Sequence, residues 1–207
     1  MLLFRSALPV LLIVLTFGCA SSETLDDNSS TPSRSQAQTE EHFEFIDHDT
    51  FPSAGSLYNI NDTFVGSCVL VTPNIAFTAG HCIELGNLKY ARFGDEEIMI
   101  ELQCLHKDYN NGDDLGLLIL ETDSSHEPMP VIDDVDLIPD MFPLHTIAHG
   151  EGAKKISKDK VYRYYGILQN KPNEIVFLPL QTSVWFGDSG GALVYKNRDN
   201  GYVLIGI

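Results

Sequence analysis

From about Ile46 onward, short apolar segments recur along this chain, and none carries a helical period. They fall at 64–72, 75–78, 98–105, 115–120, 144–149, 161–168, 175–180, 191–195 and 202–207. Turn-forming residues separate them: Pro73-Asn74, Asn110-Asn111-Gly112, Lys171-Pro172-Asn173 and Asn200-Gly201. Short apolar runs bounded by such turns read as strands. No stretch keeps apolar residues on a 3.6-residue period for three turns, which argues against alternating strands and helices. The spacing therefore predicts an all-β domain, a barrel or sandwich. With 43% hydrophobic and 10% aromatic residues, the chain has enough apolar surface for a core. A length of 207 residues fits one domain, or one domain plus a tail.

The segment before this pattern reads as an address and a spacer. Arg5 precedes an apolar run over 7–17, too short for the ~20 residues that span a bilayer. A basic start, a short apolar stretch and small residues form a secretory signal, assigned here to residues 1–19. Two endings stay open. Gly18-Cys19 resembles a bacterial lipoprotein signal, in which Cys19 would carry a lipid and attach the chain to a membrane. Ordinary cleavage near Ala20 is the other. Either one makes the chain exported, secreted or held at a bacterial cell envelope, and permits disulfides. Residues 20–45 are rich in Ser, Thr, Gln and acids, and bury too little to offset ordering entropy; they read as a disordered linker or pro-segment. The remaining 46–207 is the folded domain.

Lys and Arg number 13 against 29 Asp and Glu, a net charge of −16. No basic cluster exists to neutralise phosphates, so nucleic acid is not an expected partner.

Three motifs carry chemistry. The first is Thr78-Ala79-Gly80-His81-Cys82, a His among small residues after a strand. Cys68 lies fourteen positions before Cys82. In an exported chain the two could pair, stabilising by about 3 kcal/mol and fixing the turn that carries His81. A general base needs such fixed placement. The second motif is Asp113-Asp114 at the mouth of the apolar strand 115–120. Asp113 reads as a turn residue. Asp114, next to the run, is the carboxylate expected to turn inward, where it needs a partner that a His could supply. The third is Gly187-Asp188-Ser189-Gly190-Gly191. Glycines around a Ser allow a tight turn and close approach of a substrate. Gly187 and Ser189 could aim two N–H groups at one point, as an oxyanion hole requires. The same Gly-x-Ser-x-Gly pattern marks the nucleophile elbow of α/β-hydrolases, whose acid and His follow the Ser. Only 18 residues follow Ser189, and none is His.

The order His81, Asp114, Ser189 is that of the chymotrypsin-type barrel. From about Gly66 to Ile207 the chain resembles the trypsin-like (chymotrypsin-fold) serine proteases. Cys68-Val69-Leu70-Val71-Thr72, Thr78–Cys82, His106-Lys107-Asp108-Tyr109-Asn110 before Asp114, and Gly187–Gly191 carry the likeness. The resemblance implies a double β-barrel with the active site between the barrels. It implies His81 as general base, Asp114 as the acid that orients it, Ser189 as nucleophile, and the N–H groups of Gly187 and Ser189 as oxyanion donors. The implied function is that of an exported serine endopeptidase cutting protein or peptide substrates through an acyl-enzyme, with no cofactor.

The chain also departs from the family. Ser183 stands six residues before Ser189, where the base of the specificity pocket is expected, and implies preference for a neutral or apolar side chain. Trp185 stands where many relatives carry a pocket Cys. The family's freed N-terminus pairs with the Asp before the nucleophile, here Asp188. No Ile-Val-Gly-Gly occurs, so the hypothesis is cleavage after Phe45 that frees Ile46; the alternative is a conformation needing no processing. Cys104 reads as a buried, inert thiol. His145 and His149, four apart in a strand, and the acids Asp133, Asp134, Asp136 and Asp140 read as no metal site. A double barrel is usually a single domain of about 200–250 residues. The domain from 46 to 207 is shorter, so the second barrel is expected to be incomplete at its C-terminal side, as in a truncated record. The alternative is a protease-like binding domain with impaired or no catalysis, for want of the C-terminal pocket strands.

Overall fold

The computed structural model describes residues 44–132, 143–150, 160–171, 174–179, 186–197 and 201–207. The signal segment with Cys19, most of the linker, Asp133 to Asp140 and Ser183 with Trp185 lie outside the described residues.

The described chain is mostly β. Strands β2 (Ala54–Asn59), β3 (Phe64–Thr72), β4 (Ile75–Thr78), β5 (Leu88–Phe93), β6 (Glu96–Leu105) and β7 (Gly116–Leu120) close into a barrel in the order β2-β3-β4-β7-β6-β5. All its pairings are antiparallel. A second sheet of six strands stays open. It comprises β1 (Glu44–Asp47), β8 (Pro143–Ala148), β9 (Lys160–Lys171), β10 (Glu174–Pro179), β11 (Ala192–Lys196) and β12 (Tyr202–Gly206). Its order is β1-β9-β8-β11-β12, with β10 also on β9.

The apolar run of β3 explains how the two sheets share one molecule. Side chains alternate across a strand. Cys68 and Leu70 point into the barrel, beside Leu57, Phe93, Leu118 and Leu120. Val69 points the other way, into a second core with Ile46, Phe51, Ile147, Val194 and Leu204. Burial on both faces is why β3 reads as continuous apolar sequence rather than alternating. β7 shows the one-sided case, with Leu118 and Leu120 inside and Leu117 and Ile119 only partly covered. The crossing segment is stitched to both sheets. Met129 donates its N–H to Leu70 (2.8 Å), and Leu204 donates to Pro130 (2.7 Å).

The structure differs from expectation in several elements. β1, β2 and β5 were not expected, and the first of them begins at Glu44, two residues before the expected edge of the domain. One helix, α1 (Gly80–Gly86), follows β4 where a plain turn was expected. It ends at Asn87 in the left-handed region (φ 46°). Among the described residues no helix is long and apolar enough to cross a membrane.

Candidate active site

Asp114 and His81 meet through two hydrogen bonds from different parts of the His residue. The ring Nδ1 of His81 lies 2.6 Å from Asp114 Oδ2, and the His81 backbone N–H donates to Asp114 Oδ1 at 2.8 Å. His81 is the second residue of α1, so its N–H has no acceptor within the helix. The carboxylate thus satisfies a helix-end donor with one oxygen and orients the imidazole with the other. Ring rotation and helix position are fixed by the same side chain. A further tie joins the two elements: Tyr109, in the loop before Asp114, donates its hydroxyl to Glu84 of α1 at 2.7 Å.

The pair is about two-fifths exposed, 40% for His81 and 39% for Asp114. The hydrogen bond to the Asp114 carboxylate raises the His81 ring to about 10, the Cys82 side chain adding and burial opposing. Partial burial alone would raise the Asp114 carboxyl; the ring and backbone bonds from His81 outweigh it and hold it below the usual carboxylate range.

Ser189 lies in a turn whose backbone is pinned at consecutive carbonyls. Ser67 hydroxyl donates to Gly187 O (2.8 Å), Gly191 N–H to Asp188 O (2.9 Å), and Ser67 N–H to Ser189 O (2.7 Å). Gly187 and Gly190 take φ of 95° and 84°, which only glycine adopts without strain. Space also demands Gly190: a Cβ there would sit 2.1 Å from Ser67 O and 2.3 Å from the Thr78 hydroxyl. The turn therefore rests on β3 and the end of β4, next to the start of α1. Cys82, the residue after His81, brings its Sγ to 3.8 Å from Ser189 O. Ser189 itself is half-buried, whereas Gly187 and Asp188 are buried.

Other expected sites fall as follows. Ile46 sits in β1, opposite Val161 of β9, with its side chain in the second core. Cleavage after Phe45 would remove the Glu44 and Phe45 rungs of that pairing. The Asp188 carboxylate lies against Gly150. Cys68 and Cys82 are both buried thiols here, not the expected disulfide. Cys82 Sγ lies 3.8 Å from Ser189 O, while burial, with Cys82 nearby, pushes the Cys68 thiol up. Cys104 is half-buried on β6, not fully buried as expected.

His145 lies on β8 and His149 just past it, its N–H and carbonyl both on the Ser67 hydroxyl. Asp113 pairs with His106 (3.1 Å), as a loop-closing residue. Among the described residues, His106, Asp108 and Asp113 are the group whose ligand atoms cluster tightly enough for a metal. His106 Nδ1 lies 3.1 Å from Asp113 Oδ2 and 3.3 Å from Asp108 N, all within one loop, so we read the group as the loop's own closure.

Tyr109, Ser67 and Thr78 were missed as supports of the site. Thr78 and Tyr109 stand inside quoted motifs, a signal that was available. No family model matches this chain, and no curated protein matches it.

Proposed function

We propose that this chain is an exported serine endopeptidase of the trypsin-like type. The observation that carries the reading is the two-point clamp of Asp114 on His81, with the Ser189 turn held beside the same helix. In this reading the closed barrel is the first of two, and the open sheet belongs to the second.

Ser189 Oγ attacks the scissile carbonyl while His81 takes its proton, and the carbonyl electrons move onto the oxygen. The N–H groups of Gly187 and Ser189 stabilise that oxyanion. Collapse breaks the C–N bond, and His81 returns the proton to the leaving amine. Water then repeats the sequence on the acyl-enzyme and releases the acid. Asp114 stabilises the imidazolium formed in each half. Substrates are proteins or peptides, and Ser183 favours a neutral or apolar side chain before the cut. Export, a lipid on Cys19 and pairing of a freed Ile46 with Asp188 complete the proposal.

The test is cleavage of an unstructured protein such as casein by the full chain. Wild type should release peptides, and Ser189→Ala should fall at least about 10³-fold. Equal cleavage by both would point to another nucleophile or a contaminant.

A further inference from the structure

Ser67 is an odd residue for its place. It lies in β3, a largely apolar strand of the barrel, and is only 1% exposed. A buried hydroxyl must be satisfied, because leaving it without partners is costly. Two of its partners are consecutive-but-one carbonyls of a single feature, the turn that carries Ser189.

Each polar group of Ser67 is engaged. A hydroxyl has one proton to donate and can accept twice. Its Oγ donates toward Gly187 O (2.8 Å), with His149 O at 3.1 Å, and accepts the His149 N–H at 2.8 Å. The Ser67 backbone N–H donates to Ser189 O at 2.7 Å. Its carbonyl accepts the Thr78 hydroxyl at 2.8 Å, and Gly190 packs against that same carbonyl. Two peptide planes are therefore held by one residue of the barrel. They are the plane after Gly187 and the plane after Ser189, and the Ser189 N–H lies between them.

We propose that Ser67 is the positioning residue of the oxyanion turn, acting through Gly187 and Ser189 without touching substrate. The proposal rests on the serine-protease reading above. Its hydroxyl and amide hold the peptide planes on either side of the Ser189 N–H, the first of them adjoining the Gly187 N–H, so losing the hydroxyl frees the Gly187 carbonyl while the Ser189 carbonyl stays bound. Such a change weakens transition-state stabilisation more than substrate binding. Removing one oxyanion donor outright costs about 10²–10³ in kcat; loosening it should cost about ten- to a hundredfold.

The experiment compares steady-state hydrolysis of a p-nitrophenyl acyl ester by the full chain, as wild type, Ser67→Ala and Thr78→Val. Thr78→Val is nearly isosteric and removes only the hydroxyl that braces the Ser67 carbonyl, so it remains informative if Ser67→Ala does not fold. Expected is a kcat lower by about ten- to a hundredfold for Ser67→Ala, and a smaller fall for Thr78→Val, each with KM within about threefold of wild type. A folded Ser67→Ala that keeps its kcat within about threefold, or a loss carried by KM, overturns the positioning role alone. If Ser67→Ala does not fold, the same outcome in Thr78→Val overturns it. A wild type that neither turns over the ester nor takes up a phosphonate overturns the protease reading, and this role with it.

Discussion

His81 is where electrostatics and chemistry meet. Its ring titrates near 10 in the folded chain against an ordinary 6.5, because the Asp114 carboxylate favours the charged form. The His81 contribution is fully present below about pH 6.5 and is lost as pH rises through about 10, while protonation of Asp114 removes the pair again in acid, as pH falls through its lowered folded-state pKa. Catalysis has the opposite dependence, since only the neutral ring can take a proton. We expect kcat/KM to rise with pH along a limb governed by His81, well into the alkaline range. Asp114→Asn should move that limb down toward the ordinary imidazole range and lower the rate by about 10⁴-fold. A pH–rate profile checks both; a limb that stays in place would show that another group governs it. The His81–Asp114 pairing was legible because each residue sits in a motif at a strand end. Ser67 was not, because a serine within an apolar strand looks the same whether it caps a catalytic turn or faces solvent.

Among the elements, the strands read best where both faces are buried or turns are marked. The runs at 64–72 and 75–78 coincide with β3 and β4. β2 escaped notice because Ala54-Gly55-Ser56-Leu57-Tyr58-Asn59 holds small and polar residues, although almost all of them are buried. α1 escaped because 7 residues cannot display three turns of period. The Cys68 and Cys82 thiols belong to this scale, one on β3 and one on α1. We expect both to be alkylated in denaturant without reductant, and an intact mass lighter by two hydrogen atoms would contradict this. The high pKa that burial gives Cys68 also predicts slow alkylation in the folded, reduced chain.

The whole molecule is two sheets joined over a shared strand, so its stability lies in two cores. An all-β domain was legible from the punctuation of the sequence. One closed barrel beside a partial second sheet agrees with the expectation of an incomplete second barrel; the pairing of β2 with β5 that closes the first was not legible, because no local pattern encodes such long-range pairing. The second core predicts its own sensitivity. Leu204 is 2% exposed and shares the second core with Val69; Leu204→Ala should cost about 2–5 kcal/mol. Leu85, 76% exposed on α1, should tolerate Ala within about 0.5 kcal/mol. Urea midpoints distinguish the two, and equal effects would mean the second core is not formed as described.

The central claim is that His81, Asp114 and Ser189 act as one nucleophilic unit. Intact-mass analysis after exposure to a peptidyl phosphonate tests it most directly. Expected is one covalent adduct on wild type, mapped to Ser189, at most slow labelling of His81→Ala, and none on Ser189→Ala. An adduct of equal yield on Ser189→Ala, or an unlabelled wild type, would contradict it.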